Sequence, residues 1–262
     1  MARAGDSRID DLGNPVEVPR EVRRVVSLVP SLTESVALSA PGLLIGSTDW
    51  CTHPPDLDVA RVGGTKNPDV AAVIALRPDL VVANEEENRN QDLAALRQAG
   101  LAVWVTAPTT IPEALGSLDR MLSACRLSTP LWLRDAEETW TAPYDGPRRR
   151  AFVPIWRRPW MCLGRDTFAG DVLDRLGIEN VFGDDVERYP TVRLDAVRQR
   201  RPDVVVLPDE PYAFTREEGR QVFDDWGVPV VHVSGRHLTW YGPSLVEARD
   251  LLTAALDIAA QR

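Results

Sequence analysis

Short apolar runs recur along the chain, each closed by a turn signal and followed by a stretch with helical spacing. Arg24–Pro30 (RVVSLVP), Leu43–Ser47, Leu80–Ala83 and Ala102–Thr106 read as buried strands, because they are compact, apolar and rich in Val. Between them lie helical patterns. The first opens at Ser31, a plausible N-cap with Glu34 placed to complete a capping box. The second covers Asp69–Leu76, and the third covers Asn90–Ala99 and stops at Gly100. This β-α-β-α alternation predicts a mainly parallel sheet with helices on both faces.

From Ile111 to about Thr139 the strand pattern stops. Pro112 suits a first helical turn, and Leu115, Leu118, Met121 and Leu122 follow at helical spacing. Pro130 is expected to break or kink this stretch. After the polar segment Ala142–Arg150 the first pattern returns. Arg77-Pro78-Asp79-Leu80-Val81-Val82 recurs as Arg201-Pro202-Asp203-Val204-Val205-Val206. Each copy is preceded by an apolar strand that opens onto a Ser- or Thr-bearing turn, Val25–Thr33 and Ala151–Thr167. One repeat of this length implies a duplicated domain rather than a solenoid. The expected organisation is an N-terminal α/β lobe (1–110), a helical connector (111–148) and a C-terminal α/β lobe (149–262), both lobes Rossmann-like. Ligands of open α/β sheets sit beyond the carboxyl ends of the strands, so the site is expected in the cleft between the lobes.

The formal net charge of -9 argues against a nucleic-acid binder, which needs clustered Lys and Arg. Cys51, Cys125 and Cys162 show no paired spacing, so no disulfide framework is expected. No apolar run is long enough to span a membrane. MARAGDSRIDDLGNPVEVP has no apolar signal-peptide core, so the chain as written is expected in the cytoplasm, and outside it if a leader was removed. Gly-x-Ser-x-Gly, P-loop and Gly-x-Gly-x-x-Gly elements are missing, and so is a compact metal-ligand set. The expectation is therefore a monomeric non-enzyme with no intrinsic cofactor or metal.

Asp10-Asp11-Leu12-Gly13-Asn14-Pro15-Val16-Glu17-Val18-Pro19, followed by RRVVSLVPSLTE and RPDLVVAN, resembles the cobalamin and iron-siderophore class of ABC-transporter substrate-binding proteins, within the helical-backbone metal-receptor superfamily. The likeness runs from about Asp10 to the C-terminus. It implies the class III periplasmic-binding-protein architecture, in which two α/β lobes are bridged by a helix. It also implies ligand capture outside the cytoplasmic membrane and delivery to an ABC permease. Asp69 and Asp195 take the positions of the acidic residues that pair with permease arginines, although each also suits a solvated helix N-terminus.

The candidate ligand residues lie in strand-end loops. Trp50 takes the place of the aromatic that stacks on a corrin ring in the resembled cobalamin binders, the alternative being a plug on the lobe surface. His53 is a metal or carboxylate partner, or a turn residue before Pro54. Lys66, one of very few lysines, follows Gly63-Gly64 and either pairs with an anionic group or sits in a plain turn. Of Glu85, Glu86 and Glu87, the first suits a helix start, and Glu86 and Glu87 suit the cleft. Trp156, Arg157, Arg158 and Trp160 can build stacked, cationic walls. Gly164–Phe168 reads as a capped helix start. Tyr189, Tyr212, Trp240 and Tyr241 are further pocket aromatics by resemblance, with Glu210 and His237 as polar anchors. Trp104, Trp132, Trp140 and Trp226 fall in strand or helix patterns and read as packing, and His232 as a structural histidine. The expected ligand is a corrinoid such as cobalamin, then a ferric siderophore, with a bare metal ion last. A second reading keeps the same cleft in a cytoplasmic carrier, sensor or enzyme, where Glu86, Glu87, Glu210, His53 and His237 supply acid–base chemistry.

Overall fold

The computed structural model describes residues 5–260; the first four residues of the expected N-terminal lobe and the last two of the C-terminal lobe lie outside them. The chain divides into two compact units. Unit 1 holds residues up to Pro108, Pro112–Ala136 and Tyr241–Pro243, and unit 2 holds Thr109–Ile111, Glu137–Trp240 and the chain from Ser244.

Unit 1 begins with an antiparallel hairpin, β1 (Gly5–Ile9) and β2 (Pro15–Pro19). Its turn is the motif that carried the family resemblance, and its two acids have separate structural tasks. The Asp10 carboxylate accepts the amides of Leu12 (3.0 Å) and Asn14 (2.8 Å) and so closes the turn. The Asp11 carboxylate accepts the Ala107 amide at 3.0 Å, the Ser117 hydroxyl, and the Arg120 guanidinium at 2.6 Å.

Five parallel strands follow in the order β5-β4-β3-β6-β7: β3 (Val25–Ser27), β4 (Leu44–Ser47), β5 (Ala60–Arg61), β6 (Leu80–Asn84) and β7 (Val103–Thr106). Every residue of β3, β6 and β7 is buried, as expected of a parallel sheet covered on both faces. The helices are α1 (Pro30–Ser39), α2 (Val70–Ala75) and α3 (Asn90–Gln98). Ser31 is not the N-cap of α1: the helix starts at Pro30, whose fixed φ and missing N–H suit the first turn, and Val29 is the cap residue without a side-chain bond.

The segment expected as one connector forms two helices, α4 (Ile111–Ala124) and α5 (Leu131–Thr141). The break falls at Arg126, with φ of 64°, and at Pro130. Most of α4 belongs to unit 1, and α5 passes from unit 1 to unit 2 after Ala136.

Unit 2 carries four parallel strands in the order β11-β8-β12-β13: β8 (Arg149–Phe152), β11 (Ile178–Asn180), β12 (Val204–Pro208) and β13 (Val230–Val233). Between β8 and β11 the sequence reading expected a loop across Pro154–Trp160. It is an antiparallel hairpin, β9 (Pro154–Arg157) and β10 (Trp160–Cys162), turning at Arg158-Pro159. The helices are α6 (Phe168–Asp174), α7 (Leu194–Gln199), α8 (Arg216–Phe223), α9 (Gly235–Thr239) and α10 (Leu245–Ala260). Thr167 caps α6 by accepting the Gly170 amide. Among the described residues no helix is long and apolar enough to cross a membrane.

The repeat seen in the sequence is a repeated structural device. Arg77 and Arg201 both sit in the left-handed region, at φ of 47° and 50°. The proline that follows each disfavours the right-handed helical region for the residue before it, so the chain turns sharply into the strand. The Asp79 amide donates to the Arg24 carbonyl at 2.7 Å, and its carboxylate accepts the Arg23 amide at 2.9 Å. In unit 2 the Asp203 amide donates to the Arg150 carbonyl at 2.7 Å, and its carboxylate accepts the Arg150 amide at 2.8 Å. The Arg24 guanidinium donates to the carbonyls of Leu76 and Arg77, and that of Arg150 to those of Arg200 and Arg201. Each corner thus sets β6 against β3, or β12 against β8. Asp79 is buried and Asp203 exposed. Asp79→Ala is therefore expected to cost about 1–3 kcal/mol by removing a buried carboxylate with its bond to the Arg23 amide, and Asp203→Ala less, measured by urea unfolding. Equal or negligible losses would contradict this role.

Candidate ligand-binding site

In each unit the strand after the first lies on one side of it and the third lies on the other, so the order reverses between β3 and β6 and between β8 and β12. Carboxyl ends at such reversals are where open α/β sheets leave room for a ligand.

At the tips of unit 1, Trp50 is 68% exposed. Its loop is fixed from beneath by Arg61, whose guanidinium donates to the Ser47 hydroxyl (3.0 Å) and to the carbonyls of Thr48 and Cys51 (both 2.9 Å). A rigid loop holding out a bare indole forgoes roughly 3 kcal/mol of hydrophobic free energy that a flat ligand can recover. Gly64 passes beside the indole nitrogen, where an added Cβ would lie 3.6 Å away. Lys66, exposed, donates to the Glu86 carbonyl, which ties the glycine loop to the acidic loop. His53 is half-buried, its Nδ1 3.1 Å from the Thr52 hydroxyl.

The acidic loop after β6 is built on side-chain amides. Asn84 Oδ1 accepts the amides of Glu86 (2.9 Å) and Glu87 (3.0 Å). Asn84 Nδ2 donates to the Thr106 carbonyl (2.9 Å) and the Tyr241 hydroxyl (2.7 Å). Asn88 Oδ1 accepts the Asn84 amide, and its Nδ2 donates to the carbonyls of Leu28 and Thr65. Glu85 and Glu87 are exposed and Glu86 is half-buried. Water reaches Glu87, yet the protein packed around it raises its carboxyl above the ordinary value; Lys66 offsets this in part and Glu86 adds to it. Tyr241 is buried, and burial pushes its hydroxyl far above the usual phenol range. Expected as a pocket aromatic, it instead spends its hydroxyl on Asn84 and on Thr106 at 2.8 Å, and supports the loop.

At the tips of unit 2, the β9–β10 hairpin and the loop after β12 form an aromatic wall. Trp156 is 42% exposed and meets Tyr212 edge-on at 5.5 Å. Trp160 stacks on Phe214 at 5.9 Å, and Tyr212 touches Phe214 at 4.6 Å. The Arg157 guanidinium lies over the Trp160 ring at 6.0 Å and pairs with Glu218. Glu218 also accepts the Tyr212 hydroxyl at 2.7 Å and closes the capping box of α8 with Thr215. Arg158 is exposed at the hairpin turn.

The same loop reaches Trp240, a nearly buried ring whose Nε1 donates to Glu210 at 3.0 Å. His237 Nε2 lies 3.0 Å from Glu247, which Arg236 also holds. Tyr189 is half-buried on the segment that runs along β10. Trp240 and His237 are thus engaged by their own unit, whereas Trp50 and Trp156 present open faces. A depression of about 550 Å³ beside β11, lined by Arg150, Thr167, Asn180 and Arg200, contains none of these residues.

Asp69 is exposed and caps α2 by accepting the Ala72 amide at 2.9 Å. Asp195 is exposed and paired with Arg193 at 3.1 Å. Trp104 and Trp140 are buried, Trp132 donates to Ser39, and Trp226 packs on Phe152 and Phe223. Sequence reasoning missed Asn84, Asn88, Arg61 and Glu218. For the first two a signal was present: Asn at a strand end with a second Asn closing the loop suits side-chain-to-backbone turns. Among the described residues no group of three or more His, Cys, Asp or Glu is placed to hold a metal ion.

No protein-family profile matches the chain. The chain is 24% identical over 250 residues to a vitamin B12-binding protein of Pectobacterium atrosepticum, covering 89% of this chain and 88% of that protein. The solved periplasmic vitamin B12-binding protein of Vibrio cholerae superposes with a TM-score of 0.73 at 21% identity, over 92% of this chain and 99% of that one. A periplasmic heme-binding protein from Roseiflexus sp. RS-1 does so with a TM-score of 0.72 at 19% identity, over 92% and 100%. The chain therefore has the class III periplasmic-binding-protein fold, with two α/β lobes, mainly parallel sheets and joining helices.

Glu218 allows a test of the aromatic wall. The Thr215 amide, then the Tyr212 hydroxyl and Arg157, hold its carboxyl down at about 2, against an ordinary 4.5. A depressed carboxyl stabilises the fold above its unfolded value, and this is lost as pH falls from 4.5 towards 2. Glu218→Gln is expected to lower the melting temperature at pH 7, with the gap to wild type closing across that window. A gap independent of pH would contradict the assignment.

Proposed function

We propose that the chain is a non-enzymatic binding protein of the ABC-transporter substrate-binding type, which takes a planar metal chelate at the strand tips of its lobes. Trp50 carries the reading: an indole 68% exposed on a loop held rigid by Arg61 is a surface prepared for a flat partner. Trp156 offers a second open ring. A corrinoid is the first ligand, supported by the names of the relatives above, and a ferric chelate such as heme or a siderophore is the second. In the acidic loop, Glu86 and Glu87 face the ligand's donor-bearing edge. Lys66, Arg157 and Arg158 supply positive charge. Glu210, Tyr212, Trp160, Tyr189, His53, His237 and Trp240 shape or support the pocket.

The working location is outside the cytoplasmic membrane, in keeping with the periplasmic proteins that share the fold. The partner is a permease, met through Asp69 and Asp195. Both carboxylates are exposed at helix starts, one on each unit, and can pair with arginines of a partner.

Titration with cyanocobalamin and, separately, hemin, followed by tryptophan fluorescence, tests the reading. Saturable quenching by cyanocobalamin is expected, with Trp50→Ala and Trp156→Ala each weakening affinity by about 1–3 kcal/mol at unchanged melting temperature. Trp240→Ala is expected to lower stability as well, because that ring is buried. Binding of hemin alone would move the assignment to ferric chelates. Binding of neither, or affinity indifferent to both exposed tryptophans, would contradict the site.

A further inference from the structure

Within unit 2 the two oxygens of the Glu218 carboxylate serve different parts of the structure. Oε2 faces the start of α8, where it accepts the Thr215 amide at 3.1 Å and the Thr215 hydroxyl at 3.2 Å. The Glu218 amide donates back to Thr215 Oγ1 at 3.1 Å, which completes the capping box. Oε1 faces the aromatic wall instead. It accepts the Tyr212 hydroxyl at 2.7 Å and the Arg157 guanidinium. The Glu218 and Arg157 side chains are both half-buried, so their pairing is less screened than an ion pair on the open surface.

The contacts around Oε1 close a ring. In a strand successive side chains leave on opposite faces, so Trp156 and Arg157 depart from β9 in opposite directions. Both nevertheless return to the segment that follows β12. Trp156 meets Tyr212 at 5.5 Å with the ring planes 77° apart, and Arg157 reaches Glu218. The bond between Tyr212 and Glu218 joins these two contacts, so β9 is gripped from both faces. Among the described residues β9 pairs only with β10, and the clasp therefore holds an edge that no other strand covers.

We infer that Glu218 is the positioning residue for Trp156: through Tyr212 and Arg157 its Oε1 clasps β9 and sets where the open indole face points. This deepens the ligand reading above and rests on it for its use. Glu218→Gln separates the two duties of the carboxylate, because glutamine completes a capping box as glutamate does. With the amide oxygen held by Thr215, the NH2 group faces Arg157, which has no acceptor, and cannot take the Tyr212 proton. The cap of α8 survives and the clasp is lost. Thr215→Ala does the reverse: it removes the capping hydroxyl and leaves Oε1 with Tyr212 and Arg157.

The test is fluorine magnetic resonance on the free, full-length chain labelled with fluorotryptophan, the Trp156 signal being assigned by its loss in Trp156→Phe. Glu218→Gln is expected to shift or broaden the Trp156 signal at pH 7 while those of the buried Trp104 and Trp140 stay in place. Tyr212→Phe, which removes one hydroxyl and leaves the capping box whole, should do the same. Thr215→Ala should lower the melting temperature and leave Trp156 where it is. An unmoved Trp156 signal in either Glu218→Gln or Tyr212→Phe would overturn the inference, and so would equal movement in Thr215→Ala, the mark of a merely structural role. Cyanocobalamin titration adds a second readout. Glu218→Gln should weaken affinity by about fivefold in the wild-type background and bring no further loss on Trp156→Ala. A loss that persists on Trp156→Ala would contradict action through that ring. Failure of cyanocobalamin to bind the wild-type chain would bear on the ligand and leave the fluorine result standing.

Discussion

The amide of Asn84 is filled to capacity, and the acidic loop after β6 depends on it. A primary amide offers two donors and an oxygen with two acceptor sites. Here both donors go to Thr106 and Tyr241, and the oxygen takes the amides of Glu86 and Glu87. Parallel strands end with backbone groups that the sheet no longer pairs, and burying them unpaired costs more than a typical hydrogen bond returns. Asn84 resolves this inside the protein. The amides of Glu86 and Glu87 are thereby paired without drawing on the carboxylates of the loop.

The duplicated plan keeps the corners and varies the tips. Arg77-Pro78-Asp79 and Arg201-Pro202-Asp203 form the same left-handed turn and the same aspartate bonds to the neighbouring strand. Beyond the strands the units diverge. Unit 1 offers carboxylates and one open indole, whereas unit 2 offers a wall of packed aromatics with a guanidinium laid along it. Stacking faces and charge of both signs are the chemistry that receives flat ligands with a polar edge. Holding the rings rigid also limits the ordering entropy that binding would otherwise cost.

Much of the fold was legible because it rests on short-range signals. Val-rich runs marked the strands, Gly100 followed the end of α3, Pro130 marked the break between α4 and α5, and the Arg-Pro-Asp repeat announced the duplication. Of the strands that escaped notice, β5 and β11 are two and three residues long, too brief for any periodicity, and β1 and β2 lie in the polar opening segment. The β9–β10 hairpin was hidden because Trp156-Arg157-Arg158-Pro159-Trp160 reads as a polar aromatic loop, and only its pairing makes it strand. The cap of α1 was misplaced by two residues because Ser31 and Glu34 mimic a capping box, whereas Val29 is the cap and Pro30 has already entered the helix. At the site, exposed groups such as Trp50 and Trp156 could be named from their loops. What separates them from Tyr241, Trp240 and His237 is where each side chain finds its partner. Those partners, Asn84, Glu210 and Glu247, come from distant parts of the chain or from beyond the local motif.

The central claim is that a flat ligand meets the strand tips and not the packed interior. Indole N–H resonances of the tryptophans, followed by nuclear magnetic resonance during addition of cyanocobalamin, address it directly. The account predicts that the signals of Trp50 and Trp156 move or broaden, while those of Trp104, Trp132 and Trp140 hold their positions. Movement confined to the latter three, with Trp50 and Trp156 unmoved at saturation, would contradict it.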